Sequence, residues 1–249
     1  RPAGKPPGNK AEITTALGQT LVLLKPADSP LADFTMGASR REPGRRANEV
    51  MYPVSLRRPF YLQTTEVTNA QFRQYQSGHN SGQVDGNSLN RDQQPAVQVS
   101  WQQAAAFANW LSKREGLPAF YKESNGIITG FNPAATGYRL PSEADESSAR
   151  VTGRALAGYN DSAVVSAPVG SYKPNQNRLY DMGGNVAEWV HDVYRIPPAN
   201  GATAPVPSAV PRNVVVTASM PAPSTKVNVR PAATSTSTTT STATSTATA

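Results

Sequence analysis

Apolar residues come in short runs through the first third of the chain and only later fall into helical spacing. Thr20-Leu21-Val22-Leu23-Leu24 lies between Gly18 and Pro26, while Pro53-Val54-Ser55-Leu56 and Phe60-Tyr61-Leu62 are separated by Arg57, Arg58 and Pro59. Runs of this length, bounded by turn formers, predict three strands. Further on, Thr68 is placed to cap a helix carrying Ala70, Phe72 and Tyr75, with Glu66 and Asn69 at the strand-to-helix junction. The clearest helix starts at Ser100, which forms a capping box with Gln103. Trp101, Ala104, Ala105, Ala108 and Leu111 then share one face, and Gly116 and Pro118 end the element. Such a stripe of small and aromatic side chains predicts packing on a sheet. Ile127, Ile128 and Phe131 occupy hairpin positions in a Gly-, Asn- and Thr-rich stretch, and Ser142 with Asp145 repeats the capping spacing before a short polar helix.

Three regions follow from this pattern. Residues 1–17 read as a Pro/Gly-rich arm, 18–195 as one α+β domain with short strands and long loops, and 196–249 as a Pro-rich stretch running into Ala, Ser and Thr alone. A hydrophobic content of 38% and a mean hydropathy of −0.47 agree with a domain flanked by unpacked sequence. No repeat period emerges.

Charge and cysteine content narrow the chemistry. The formal charge of +7 invites nucleic-acid binding, but the basic residues are dispersed apart from Arg40, Arg41, Arg45 and Arg46, and no aromatic ladder accompanies them. No nucleic-acid partner is expected; the cluster is either a solvated surface or a docking patch for an acidic protein. The 249 residues contain no cysteine, which removes disulfides, thiolate nucleophiles and Cys-ligated metals from consideration. No apolar run approaches the length of a membrane span, and a start at Arg1 is what a processed, exported chain would show. A periplasmic or extracellular location is therefore expected, with membrane association only through a partner or a lost anchor.

The richest segment is Leu179-Tyr180-Asp181-Met182-Gly183-Gly184-Asn185-Val186-Ala187-Glu188-Trp189-Val190-His191-Asp192. Asp181 and Glu188 flank a Gly-Gly-Asn turn whose glycines let carbonyls swing inward, the mixed oxygen set that a hard cation needs. The alternative is an ordinary turn with a solvated carboxylate at each end.

Six segments, taken in order, resemble the sulfatase-modifying-factor domain of the formylglycine-generating enzymes. They are Phe34-Thr35-Met36-Gly37; Phe60-Tyr61-Leu62 leading to Thr65-Glu66-Val67-Thr68-Asn69; Pro95-Ala96-Val97-Gln98-Val99-Ser100-Trp101; Tyr138-Arg139-Leu140-Pro141-Ser142-Glu143-Ala144; Ala167-Pro168-Val169-Gly170-Ser171-Tyr172-Lys173-Pro174-Asn175; and the Leu179 to Asp192 stretch. The resemblance implies a C-type-lectin-like α+β fold, often stabilised by calcium. It implies one calcium site at the side chains of Asp181 and Glu188 and the carbonyls of Gly184 and Val186, with Asn185 fixing the turn. A second would use Asp161 and the carbonyl of Ala163, the alternative there being an Asn-Asp turn.

Catalytic members hold copper with a pair of cysteines and oxidise a substrate cysteine; other branches hold iron with three histidines. This chain has no cysteine and only His79 and His191, so neither copper nor iron is expected, and both histidines are read as packed or surface side chains. The closing strand of the family is only faintly echoed at Arg212 to Met220. These departures lead to a non-catalytic, calcium-stabilised binding or scaffold subunit of an exported bacterial assembly, docking to other protein subunits through the arm and the Arg40 to Arg46 cluster. The alternatives are a protein-modifying oxidoreductase with its active residues in the divergent tail, and a lectin-like ligand receptor. No substrate is identifiable.

Overall fold

The computed structural model describes residues 10–28, 32–43, 45, 49–145, 163–182, 184–192, 214–215 and 219–220. The strands are β1 (Glu12–Thr14), β2 (Thr20–Leu24), β3 (Asp33–Met36), β4 (Tyr52–Ser55), β5 (Phe60–Gln63), β6 (Gln83–Val84), β7 (Asn87–Ser88), β8 (Tyr121–Ser124), β9 (Ile127–Phe131), β10 (Ala187–Glu188), β11 (Val214–Val215) and β12 (Ser219–Met220). The helices are α1 (Asn69–Tyr75) and α2 (Trp101–Arg114). This is the expected α+β architecture of short strands and long loops.

One sheet organises the molecule, in the order β1-β2-β5-β11, with β11 parallel to β5 and the other neighbours antiparallel. Because strand side chains alternate between faces, Leu21 and Tyr61 point to one core while Val22, Phe60 and Leu62 point to another. The first core holds Phe72 of α1 and the Ala104, Ala105, Phe107, Ala108 and Leu111 stripe of α2. On the opposite face lies Leu179, only 1% exposed, with Met182 packed beside it. The chain entering the acidic loop is thereby fixed under the sheet.

Both helix starts form as their sequences predict. Thr68 and Gln71 exchange a capping box at α1, and Ser100 and Gln103 do the same at α2. Ala104 and Ala108 let α2 approach its neighbours closely, and Ser112 Oγ continues that contact by donating to the Ala108 carbonyl and accepting the Tyr138 N–H at 2.7 Å. Gly137 lies so close to Ser112 and the Pro118 carbonyl that a Cβ there would overlap both. The Ser142–Asp145 box also closes, and Asp145 pairs at 2.9 Å with Arg139, the two side chains 6% and 2% exposed. The hairpin predicted around Ile127 is β8–β9.

Two boundaries are corrected. Glu12–Thr14 falls within the predicted arm, yet it pairs with β2, and Leu17 is buried behind it, so the sheet begins inside that segment. Val214–Val215, beyond the expected end at residue 195, adds a fourth strand to the same sheet through Tyr61 and Leu62. In both cases only two or three residues pair, too few for a period-two pattern to stand out.

Candidate functional site

The acidic loop is shaped by two residues with left-handed backbone, Asp181 (φ 54°) and Asn185 (φ 66°), residue types that tolerate this conformation better than most. Within the turn, the Gly184 N–H donates to the Asp181 carbonyl at 3.2 Å and the Val186 N–H to the Gly184 carbonyl at 2.9 Å. Asp181, Gly184 and Val186 therefore lie on one tight turn. Glu188 sits in β10, half-buried and opposite Ser219 of β12. Ala163 is half-buried, whereas Asp161 lies outside the described residues, so the second predicted site cannot be assembled from them.

The turn is tied to the core by residues whose link the sequence does not reveal. Tyr180 donates its N–H to the Thr64 carbonyl at 2.9 Å, which sets Asp181 beside the segment that opens α1. Asp181 Oδ2 accepts the Gly170 N–H at 3.1 Å. Asn185 accepts the Ala167 N–H on Oδ1 at 2.9 Å and donates from Nδ2 to Glu66 Oε1 at 2.9 Å. Asn185 thus fixes the turn, and its partner is Glu66, a residue that the sequence places merely at a strand-to-helix junction.

Glu66 is 2% exposed, and its Oε2 is buried with no hydrogen-bond partner. Burial, reinforced by the Asp181 charge and opposed by its own backbone N–H and the Asn185 amide, pushes its carboxyl up to about 7. Burial raises Asp181 as well, opposed by the Gly170 N–H. Two neighbouring acids, both destabilised in their ionised forms, form the chief electrostatic tension of the described structure. The Ser166 hydroxyl is likewise buried without a partner, next to Ala167.

Beyond the turn the chain is clamped to α2. Trp189 donates its indole N–H to the Val99 carbonyl at 2.8 Å, and Trp101 returns a bond to the Val190 carbonyl at 3.0 Å. Trp101, Trp110 and Trp189 all pack against the main core. His191 meets Tyr121 through Nδ1 at 3.3 Å and stands edge-on to Phe120 and Phe131, while His79 is buried with Nε2 3.1 Å from Ser81 Oγ. Burial lowers both histidines. In the basic cluster, Arg40 and Arg41 are exposed, but Arg45 turns its Nε–H back to the Ala38 and Glu49 carbonyls; Arg46 lies outside the described residues.

The turn can be tested against calcium on its donor chemistry. Asp181, Glu188 and the Gly184 and Val186 carbonyls are oxygen donors only, which suits a hard cation. Among the described residues no three Asp, Glu or His side chains are gathered closely enough to hold an ion together, so the backbone would have to supply much of the coordination. The residues fit the group on these terms.

An α+β sheet with sparse helices, long loops and a half-buried acidic turn following Leu179 defines the C-type-lectin-like class to which the sequence points. The chain belongs to the sulfatase-modifying factor enzyme 1-like domain family, matched over residues 30–163 and 145–242. It is 33% identical over 105 residues to the formylglycine-generating enzyme of Streptomyces coelicolor, covering 41% of this chain and 33% of that enzyme. It is 34% identical over 100 residues to the serine/threonine-protein kinase pkn1 of Chlamydia pneumoniae, covering 40% of this chain but 14% of the kinase. Each match therefore takes in a minor part of the relative. The solved structure of Treponema denticola variable protein 1 shares the fold, with a TM-score of 0.61 at 20% identity over 87% of this chain and 84% of that one.

Proposed function

We propose that this domain is a non-catalytic, calcium-stabilised binding or scaffold module of an exported bacterial assembly. The carrying observation is a retained family framework in a sequence without a single cysteine. The capping boxes, the Glu66–Asn185 tie and the tryptophan clamp are all present, while thiol-dependent oxidation has no residue to run on. The two histidines lie in separate surroundings, His79 against Ser81 and His191 against Tyr121. A match to 14% of a kinase's length supports a module that can be joined to other functions, and an accessory role needs nothing more. Arg40 and Arg41, exposed on their loop, are the basic residues available to an acidic protein partner.

The test combines three measurements on the purified protein. Elemental analysis reads calcium content, thermal melting is compared with and without excess chelator, and a cysteine-bearing peptide is incubated with protein and copper and searched by mass spectrometry for formylglycine. The expected result is bound calcium, a lower melting temperature in chelator and an unchanged peptide. Formylglycine above the protein-free control overturns the non-catalytic half. A melting temperature indifferent to chelator, in protein free of calcium, overturns the other half.

A further inference from the structure

His191 is held by contacts that favour its neutral ring. Its backbone N–H donates to the Pro141 carbonyl at 2.7 Å, and its ring stands among Phe120, Phe131 and Tyr121, with centroids 5.4, 4.8 and 5.7 Å away. Tyr121 is 3% exposed and accepts the Leu140 N–H on its hydroxyl oxygen at 3.2 Å, which leaves its own hydrogen to donate to His191 Nδ1 at 3.3 Å. This assignment puts the neutral ring's proton on Nε2. A second proton must enter at Nδ1, where the contact becomes donor against donor. Turning the tyrosine hydrogen aside removes that conflict but leaves a buried O–H without its acceptor.

The charged groups around the ring are already engaged with other partners. Arg139 lies over the Phe120 ring, 6.0 Å from its centroid, and pairs at 2.9 Å with Asp145, which also accepts the Ser142 N–H. Asp192, on the same segment as His191, accepts the Glu143 N–H at 2.8 Å. Strand β9 brings Phe131 to the ring, and Trp101 of α2 packs edge-on to Tyr121; neither titrates. Burial foremost, and then the Arg139 charge, hold His191 below its ordinary value, against the pull of Asp192 and Asp145. We infer that His191 is a pH-operated latch, which when neutral holds residues 189–192 against β8, β9 and the Pro141 loop and when protonated lets them come away. The closed segment takes up a proton less readily than the open one. Closure is therefore fullest above the ordinary histidine value of 6.5 and is lost as pH falls below it. The Trp189 bond to the Val99 carbonyl and the Trp101 bond to the Val190 carbonyl lie in the same segment, so the clamp on α2 opens with it. This device goes beyond the calcium reading and does not depend on it.

Amide hydrogen exchange of the full chain, followed by NMR at pH 8 and pH 5 and corrected for the intrinsic pH dependence of exchange, reads the latch directly. The probe is the amide of residue 191, and the Ala96 amide, which donates to the Val67 carbonyl at 2.8 Å, reports on the core. The natural chain is compared with His191→Gln, whose side-chain oxygen can still accept from Tyr121 but takes up no proton. Protection at residue 191 should fall between pH 8 and pH 5 by at least about fivefold more in the natural chain than in His191→Gln, with Ala96 steady in both. A smaller difference between the two proteins overturns the latch, because the remaining pH dependence then belongs to other groups, Glu66 and His79 among them. A matching fall at Ala96 overturns it as well, since the whole domain would then be loosening. If His191→Gln fails to fold, His191→Phe takes its place, keeping a ring among Phe120, Phe131 and Tyr121 with nothing to protonate, and is judged by the same criterion.

Discussion

Glu66 should make the apo protein less stable as pH rises. The side chain titrates at about 7 in the fold, against an ordinary value of 4.5, because burial and the nearby Asp181 charge both oppose ionisation. A raised acid binds its proton more tightly in the folded state, so stability is fullest below the unfolded value and is lost as pH climbs through the folded one. Each tenfold in proton affinity is worth about 1.4 kcal/mol. The whole loss is then about 3 kcal/mol, most of it falling between pH 5 and pH 8. His79 and His191, both lowered by burial, slope the other way, losing stability as pH falls below their ordinary range. The readout must therefore be a difference. Urea unfolding of the natural chain and Glu66→Gln, both in excess chelator at pH 5 and pH 8, gives four free energies. The gain of Glu66→Gln over the natural chain should widen by roughly 2 to 3 kcal/mol between the two pH values. Parallel curves, with no widening, would show that Glu66 carries no buried proton and would refute the electrostatic account of this site.

Other substitutions probe the framework. Arg139→Met leaves the Asp145 carboxylate, 6% exposed, without its ion pair, and should lower unfolding free energy by about 3 kcal/mol in urea titration, a loss largely recovered in the double variant Arg139→Met with Asp145→Asn, which drops the charge and keeps an acceptor for the Ser142 N–H. Gly137→Ala should cost about 2 kcal/mol by the same measurement, because its methyl group meets the Pro118 carbonyl and the Ser112 side chain. Asn185→Ala should cost about 2 kcal/mol and raise amide exchange at Ala167, whose N–H loses its acceptor.

Local chemistry is legible in the sequence where its signals lie close together. The Ser100–Gln103 and Ser142–Asp145 boxes, the α2 stripe and the β8–β9 hairpin all announce themselves within a few residues, and each forms. The resemblance carries the fold for the same reason, through short motifs in fixed order. Pairings between distant short segments are illegible. Val214 and Val215 join β5 through two residues, and Glu12–Thr14 joins β2 through three, lengths at which periodicity conveys nothing. Glu66 belongs to this group, since its partner Asn185 lies 119 residues on. The available signal is a glutamate next to a valine that the fold buries completely, and from sequence alone that pair indicates no more than a junction.

The placement of that glutamate explains why the acidic turn and the sheet need each other. Leu179 fills the second core beneath Val22, Phe60 and Leu62, and the next residues must turn away from an apolar floor while keeping their backbone groups satisfied. Thr64, Gly170 and Ala167 provide partners for Tyr180, Asp181 and Asn185, which fixes the turn without any ion. What these bonds leave unsatisfied is charge, concentrated on Glu66 and Asp181. Neutralising either acid would ease folding of the bare chain, and a calcium ion bound at the turn, as proposed above, would relieve both charges. The stability difference between natural chain and Glu66→Gln should accordingly shrink or reverse when calcium replaces chelator at pH 8. If the variant remains the more stable protein by the same margin in saturating calcium, the buried acid pair has some purpose other than holding a cation.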